Sequence, residues 1–201
     1  MTVRSKIAIV DYGAGNLNSV KKAFDYLGAK VIVATQPETI ATADKIVLPG
    51  VGHFSALSGL DNAGLREAVL QGANAGKPFL GICLGMQWLF EGSDEAPEFA
   101  GAGFFKGRCR PFPSSVKSPH VGWNSLQVRE GSRLLRNVAP DSFVYYTHSF
   151  QAPVVAATTA ATEYGETFSG VVEQENIFGV QFHPEKSWAL GLCILKNFCD
   201  L

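Results

Sequence analysis

The sequence predicts an α/β fold with a mixed, mainly parallel central sheet, flanking helices, and antiparallel strands in its second half. In the first half, short apolar runs alternate with segments of helical periodicity, which is typical of a parallel sheet covered by helices. In the second half, strand-like runs follow one another with only turns between them, which indicates antiparallel hairpins. No internal repeat, low-complexity tract or linker interrupts the sequence, so we expect a single domain over residues 1–201.

The first half contains four short runs rich in Ile, Val, Leu and Ala. They lack the polar alternation of a half-exposed strand, so we expect strands that are buried on both faces. These predicted strands cover residues 6–10, 31–34, 45–48 and 78–82. Helices are expected where apolar residues recur at helical spacing, at residues 17–27, 65–75 and 84–90.

Five further strands are predicted in the second half, separated by turns such as residues 164–165 and 173–176. These strands cover residues 121–128, 142–147, 154–163, 167–173 and 177–182. A final helix is expected over residues 188–198, with Leu192, Leu195 and Phe198 on one side.

Composition and charge exclude several classes of function. The formal net charge is -1, so a broad electrostatic attraction to nucleic acid or to an anionic membrane has no support. The first apolar run ends at Asp11, too early for a secretory signal, and residues 78–90 are too short for the roughly 20 residues of a membrane span. The 4 cysteines form no CxxC pair, so we expect a reduced cytoplasmic protein without a zinc site.

The most specific local pattern is G-x-C-x-G at residues 81–85, between a predicted strand and a predicted helix. This is the cysteine form of the nucleophile elbow, in which two glycines let the strand and the helix approach closely. The turn presents Cys83 at a helix N-terminus, where backbone N–H groups favour a thiolate. The N–H of Leu84 is then placed to stabilise an oxyanion. Taken alone, the pattern also fits a buried structural cysteine.

A nucleophilic cysteine needs a base and a group that orients the base. His183 ends a predicted strand and is followed by Pro184 and Glu185. Residues i and i+2 of an extended segment point the same way, so we expect Glu185 to accept the ring N–H of His183. The other ring nitrogen would then face Cys83. A surface turn is the alternative interpretation of this segment taken alone.

The third predicted strand ends in the loop Pro49-Gly-Val-Gly52, whose glycines allow backbone N–H groups to turn toward a ligand. Together with Leu84, this loop could complete an oxyanion hole. Catalytic groups in parallel sheets gather beyond the carboxyl ends of the strands. The order of glycine loop, cysteine elbow and His-x-Glu therefore predicts a Cys-His-Glu triad.

Two of these segments, GICLGMQ at residues 81–87 and HPE at 183–185, resemble the signature of the triad (class I) glutamine amidotransferases. Further segments resemble the glutaminase subunits of imidazole glycerol phosphate synthase, and the resemblance extends from about residue 6 to residue 198. These segments are DYGAGNL at 11–17, PGVGHF at 49–54, PHVGWN at 119–124, YTHS at 146–149 and HPEKS at 183–187.

The resemblance implies a role for individual residues. Cys83 would attack the side-chain amide of glutamine, His183 would transfer protons, and Glu185 would orient His183. The implied oxyanion hole consists of Leu84, Val51 and Gly52. The implied glutamine-binding residues are Gly50, Gln87, Glu95, Ser149 and Phe150.

The resemblance also implies a protein partner. Ammonia would pass to a cyclase subunit with a (β/α)8 barrel, as a heterodimer that makes imidazole glycerol phosphate and aminoimidazole carboxamide ribonucleotide in histidine biosynthesis. The implied interface residues are His120, Trp123 and Lys186, with core packing as the alternative for Trp123. No cofactor and no metal ion are expected.

Two other functions share the elbow cysteine. A class I glutaminase subunit could serve another acceptor pathway, and only the subfamily segments argue against it. A non-catalytic redox-sensing or chaperone-like relative is the second alternative, but such a protein would not need glutamine contacts or a paired His183 and Glu185.

Overall fold

Residues 5–201 are described by the structure, a computed structural model, so the first four residues of the predicted domain lie outside the described part. The elements of the first half alternate as predicted. Its strands are β1 (Lys6–Val10), β2 (Lys30–Ala34), β3 (Lys45–Gly50) and β4 (Phe79–Cys83). Its helices are α1 (Leu17–Tyr26), α2 (Pro37–Ala41), α3 (Ser58–Asn62), α4 (Leu65–Asn74) and α5 (Leu84–Trp88).

The second half consists mainly of strands, as expected. They are β5 (Gly92–Ser93), β6 (Arg108–Pro111), β7 (His120–Val128), β8 (Ser142–His148), β9 (Phe150–Gln151), β10 (Thr158–Tyr164), β11 (Glu166–Gln174) and β12 (Ile177–Val180). The final helix is α6 (Trp188–Cys199), and short 3-10 turns cover Phe54–Leu57 and Pro184–Lys186.

The main sheet has nine strands in the order β2-β1-β3-β4-β12-β11-β10-β7-β8 within residues 5–201. The strands from β2 to β12 pair in parallel, and those from β12 to β8 pair antiparallel. The predicted mixed α/β class is confirmed. Because β12 inserts beside β4, the two halves of the chain form one sheet and their functional segments meet at its centre.

The apolar first-half strands are buried on both faces, which explains why their sequences lack alternation. In β1, Ile7 and Ile9 pack with Phe24 of α1 and Phe198 of α6 on one face of the sheet. Ala8 and Val10 pack into the core of the opposite face. Helices therefore cover both faces of the parallel half and leave the carboxyl ends of its strands accessible.

Three features differ from the sequence expectations. The strand predicted at 154–163 begins only at Thr158, because a turn precedes it: Val155 N donates to Thr158 Oγ1 at 2.9 Å, and Thr158 N donates to Val155 O at 3.0 Å. The helices α2 and α3 were not predicted. Neither was the small sheet β5-β6-β9. These elements have only two to five residues, too few for a periodic signal.

None of the helices in residues 5–201 has both the length and the apolar character needed to cross a bilayer.

Candidate active site

The cysteine elbow lies at the junction of β4 and α5. Cys83 has φ 54° and ψ -106°, a conformation that is strained for a residue with a side chain. The flanking glycines make this junction possible, since a Cβ on Gly85 would overlap the carbonyl oxygen of Leu48. A Cβ on Gly81 would lie 2.6 Å from the carbonyl carbon of Gly85. The close approach of strand and helix presents Cys83 at the carboxyl edge of the sheet.

The register of the sheet brings the other predicted segments to the same edge. Gly50 at the end of β3 is the partner of Cys83 at the end of β4, and Val180 at the end of β12 is the partner of Ile82. His183 follows three residues after the end of β12. The segments predicted to form the triad and the oxyanion loop therefore converge, although they are far apart in sequence.

His183 and Glu185 form a buried pair. Nδ1 of His183 lies 2.9 Å from Oε1 of Glu185, and the two side chains are 2% and 1% exposed. The local backbone differs from the expected extended segment, because Pro184 begins a 3-10 turn. The turn is held by Ser187, whose hydroxyl donates to the carbonyl of His183 at 2.7 Å. The predicted contact is thus made by a turn and not by strand alternation.

The electrostatics of His183 favour its protonated form. Burial by itself would lower the pKa of His183, but interactions with the Cys83 thiol and the Glu185 carboxylate outweigh burial and raise it. Nε2 of His183 is buried and makes no aligned hydrogen bond within residues 5–201. Because Glu185 occupies Nδ1, Nε2 is the nitrogen left to exchange a proton with the thiol.

A cavity of about 260 Å³ opens above Cys83. Six residues predicted for the oxyanion hole or for glutamine binding line it together with the nucleophile. These are Leu84, Gly52, Gln87, Glu95, Ser149 and Phe150 around Cys83, and the remaining walls come from Pro119, Thr147 and His148. Val51 and Gly50 adjoin the cavity in sequence and do not line it.

Gly50 has a packing role instead. A Cβ at this position would overlap the Tyr12 hydroxyl and would approach Cβ of Leu84 to 2.8 Å. The glycine therefore lets β3 lie directly against the start of α5. Gly52 has φ 95°, within the left-handed region that favours glycine, so the loop after β3 can turn its backbone toward the cavity.

Gln87 and Glu95 are each held by the backbone of a segment at the cavity. Gln87 donates from Nε2 to the carbonyl of Phe150 at 2.9 Å. Glu95 accepts from Phe54 N at 2.7 Å through Oε2, which ties the segment after the glycine loop to the cavity wall. These hydrogen bonds fix the positions of both side chains at the cavity without a bound substrate.

The sequence interpretation missed two buried groups near the thiol. Gln181 donates from Nε2 to the Cys83 sulfur at 3.7 Å and accepts from Gln87 at 3.2 Å. Its position two residues before His183 is the signal that could have revealed it. Tyr12 packs behind Gly50, and burial and then the neighbouring Cys83 raise the pKa of its hydroxyl.

The three residues predicted at a partner interface lie in two different environments. Trp123 is 40% exposed, and Lys186 is also exposed with Nζ 5.8 Å from the ring centre of Tyr145. His120 is only 4% exposed and lies among aromatic rings. A side chain buried in this way has no direct access to a partner, so His120 is left out of the surface proposed below.

Within residues 5–201, no group of three or more His, Cys, Asp or Glu side chains has an arrangement that could hold a metal ion.

Comparisons with known proteins relate nearly the whole described chain to one family. The family model Glutamine amidotransferase class-I matches residues 8–200. The chain is 45% identical over 197 residues to the imidazole glycerol phosphate synthase subunit HisH of Methanothermobacter thermautotrophicus, covering 97% of this chain and 98% of the relative. It is 47% identical over 198 residues to the HisH subunit of Pyrococcus furiosus, covering 96% of this chain and 97% of the relative.

Solved structures show the same fold. A crystal structure of a glutamine amidotransferase superposes with a TM-score of 0.75 at 16% identity, covering 96% of this chain and 97% of that chain. The chain belongs to the class-I glutamine amidotransferases and, within them, to the HisH subunits of imidazole glycerol phosphate synthase.

Proposed function

We propose that this protein hydrolyses glutamine through a Cys83-His183-Glu185 triad and supplies the ammonia to a cyclase subunit in histidine biosynthesis. The observation that carries the proposal is the meeting of the elbow cysteine, which lines the cavity, with the buried His183–Glu185 pair, since interaction with Cys83 helps to raise the pKa of His183. An elbow cysteine alone fits several functions, whereas a cysteine with an oriented base beside a polar cavity fits acyl transfer.

The reaction proceeds in two halves. The Cys83 thiol passes its proton to Nε2 of His183, which gives the imidazolium that the raised pKa of His183 favours, and the thiolate attacks the side-chain amide carbon of glutamine. The amide oxygen becomes an oxyanion, which the N–H of Leu84 and one from residues 51–52 stabilise. His183 returns the proton to the leaving nitrogen, and ammonia departs. The same imidazole then takes a proton from water, which attacks the thioester, and glutamate leaves as the thiol is restored.

The cavity suits an amino acid with one amide side chain. Glu95 has one carboxylate oxygen engaged by Phe54 N, and its other oxygen is available for the α-ammonium group of glutamine. Gln87 and the backbone of Ser149 and Phe150 line the region next to it. Holding the substrate at these points places its amide at the thiol.

An exposed apolar surface adjoins the cavity and is the proposed docking site for the cyclase subunit. Alternate residues of β7 face outward, and Val121 and Trp123 are 56% and 40% exposed. Trp188 lies beside them with its ring centre 4.8 Å from that of Trp123. Phe143 on β8 completes the surface. Val121 pairs with Thr147 of the cavity wall, so the surface begins where the cavity does.

The occupant proposed for this surface is a (β/α)8 barrel that receives ammonia. Large exposed aromatic side chains are typical anchors of protein interfaces, and Lys186 adds a charge at the rim. Docking beside the cavity would let ammonia pass between the subunits without escaping into water. The complex is proposed to be a heterodimer in the cytoplasm, consistent with four free cysteines.

Glutamine hydrolysis by the chain alone would waste glutamine. We therefore expect that the backbone N–H groups of residues 50–52 are not aligned for the oxyanion until the partner and the acceptor substrate are bound. One such donor contributes about 2.7–4 kcal/mol to transition-state stabilisation. Glutamate release is therefore expected to be low for the chain alone and about 100-fold or more higher with the cyclase and its ribonucleotide.

The docking surface is tested in the same assay. Trp123→Ala should raise the cyclase concentration needed for half-maximal activation about tenfold or more, because interface tryptophans contribute strongly to binding. Tyr26→Ala is the matched control, since Tyr26 is 79% exposed and lies outside this surface. Equal effects of the two substitutions would contradict the proposed surface.

The alternatives predict different results. If activation by the cyclase is absent but glutamine is still hydrolysed, the triad assignment stands and another acceptor pathway must be sought. If glutamine is not hydrolysed under any condition, the redox-sensing or chaperone-like alternative is favoured.

A further inference from the structure

Two buried histidines beside the cavity take no part in the triad. His120 on β7 and His148 on β8 are register partners, and His120 Nδ1 lies 3.1 Å from His148 Nε2. Their side chains are 4% and 7% exposed. Buried polar groups of this kind are costly unless each has a hydrogen-bond partner.

The partner of His148 fixes the position of its proton. Nδ1 of His148 lies 2.9 Å from the carbonyl oxygen of Phe150, which can only accept. Nδ1 therefore carries the proton, and Nε2 of a neutral His148 has a lone pair. That lone pair accepts from the Nδ1–H of His120, so both rings carry the proton on Nδ1.

Asn124 completes the chain at its other end. Its orientation is set independently, because Oδ1 accepts from Ser125 N at 2.8 Å and Nδ2 donates to the Glu163 carbonyl at 3.0 Å. The same Nδ2 faces Nε2 of His120 at 3.4 Å, where a neutral ring accepts. Donors thus point in a single direction, from Asn124 through His120 and His148 to Phe150.

The last acceptor of this chain belongs to the cavity. The Phe150 carbonyl receives a hydrogen bond from His148 and another from Gln87, and all three residues line the cavity. Two donors on one carbonyl fix the plane of the peptide that follows Phe150. Ser149, whose backbone the proposed function places against glutamine, is joined directly to Phe150, and its own carbonyl accepts from Phe112 N at 3.3 Å.

The surroundings keep both rings neutral. His120 stacks on Tyr164 with ring centres 4.0 Å apart and on Tyr146 at 4.9 Å. Burial lowers the pKa of His120 to about 4 and that of His148 to about 3. The titratable groups that face the pair are these two tyrosines and His183, and His183 further disfavours a charge on His148.

We infer that His120 and His148 form a positioning pair, which orders the Ser149–Phe150 wall of the glutamine pocket through neutral Nδ1–H tautomers. This inference rests on the proposed function for the identity of the substrate. A proton added to Nε2 of either ring would place two donors against each other, at Asn124 or between the rings, and would break the chain of hydrogen bonds that holds His148 in place. His120 acts from outside the cavity and is a positioning residue.

The first test does not depend on activity. Two-dimensional ¹H–¹⁵N NMR of the histidine side chains in the ¹⁵N-labelled chain reports the tautomer and the pKa of each ring. The expected result is the Nδ1–H form for both residues, with no titration between pH 8 and about 5. An Nε2–H tautomer at either ring, or a pKa near 6.5, would overturn the inference.

The second test uses the chain with its cyclase partner and compares two substitutions of His120. Phe at this position keeps the stacking on Tyr164 but removes the donor to His148, so KM for glutamine should rise about tenfold with a smaller change in kcat. Asn keeps a donor near the position of Nδ1, so the KM of His120→Asn for glutamine should stay within about threefold of the parent value.

The outcomes distinguish this inference from the proposed function. If His120→Phe leaves KM unchanged, or if His120→Asn is impaired as strongly as His120→Phe, the positioning role is wrong. If the parent complex does not hydrolyse glutamine, the proposed function fails, while the NMR result still decides the tautomers.

Discussion

Cys83 has a conformation that costs about 1–3 kcal/mol for a residue with a Cβ. The strain is maintained by glycines at 81 and 85, which allow the strand and the helix to pack at the turn. The pattern G-x-C-x-G could be read from the sequence because the geometry depends on these residue types. For single residues, the sequence predicts the conformation where steric constraints allow few residue types.

The contact between Glu185 and His183 was predicted correctly but for a different structural reason. Strand alternation suggested its pairing with His183, and the pair is present at 2.9 Å, but a 3-10 turn fixed by Ser187 produces it. Gln181 was missed because glutamine as a residue type indicates no particular chemistry, and only its position two residues before His183 pointed to the site. Its contact with the Cys83 sulfur depends on the way β12 inserts beside β4.

The role of Glu185 leads to a prediction for a single substitution. Glu185→Gln removes the anion that stabilises the imidazolium of His183, so kcat should fall about 100-fold while KM for glutamine changes little. The pKa of His183 should fall as well, because the carboxylate helps to raise it. Histidine NMR and a pH–rate profile measure the two effects.

Glu38→Gln is the matched control, since Glu38 is an exposed carboxylate on α2. Loss of all activity in Glu185→Gln, to the level of a missing nucleophile, would show that Glu185 does more than orient His183.

At the scale of elements, long and strongly patterned segments were predicted well and short ones were not. The strands β1 and β7 and the helix α6 agree with their predicted positions to within about two residues. The strand β12 has only four residues, yet it joins the parallel and antiparallel halves. Which strands pair with β12 depends on long-range packing, and a local sequence pattern does not predict such pairing.

The β7–β8 pair carries a prediction about acid stability. Burial lowers the pKa of His120 and His148, so below pH 6.5 the unfolded chain binds protons that the folded chain does not. Stability should therefore fall as the pH decreases from about 6.5 to about 4, by roughly 1 kcal/mol per pH unit for each histidine. Urea unfolding at pH 7.5, 6 and 5 measures this slope.

His183 acts in the opposite direction above about pH 6.5, because its raised pKa keeps it protonated in the folded chain while most unfolded chains are neutral there, and it contributes little between pH 6 and pH 5, where both states are largely protonated. The matched variant His120→Asn should have a shallower slope than the parent. A free energy of unfolding that stays constant from pH 7.5 to pH 5 would contradict the assignment of two neutral buried histidines.

At the scale of the whole molecule, the sequence indicated which segments carry chemistry and the sheet order explains why they meet. Residues 50, 83 and 183 are separated along the chain, but the first two end β3 and β4 and the third follows β12, and these three strands are adjacent in the sheet. The apolar surface around Trp123 could be predicted only in part, since Trp188 joins it through the path of the chain after the 3-10 turn. The proposed burial of this surface depends on a second chain, which this sequence does not contain.

The most direct test of the central claim compares Cys83→Ala with the parent chain in the complex with a cyclase subunit. Glutamine-dependent synthesis should fall at least about a thousandfold, because among residues 5–201 no second cysteine lines the cavity to replace the nucleophile. Synthesis from added ammonia should be unchanged, since that reaction belongs to the cyclase. Cys193→Ala, at a half-buried cysteine on α6, should leave both reactions intact. Continued glutamine hydrolysis by Cys83→Ala would contradict the account.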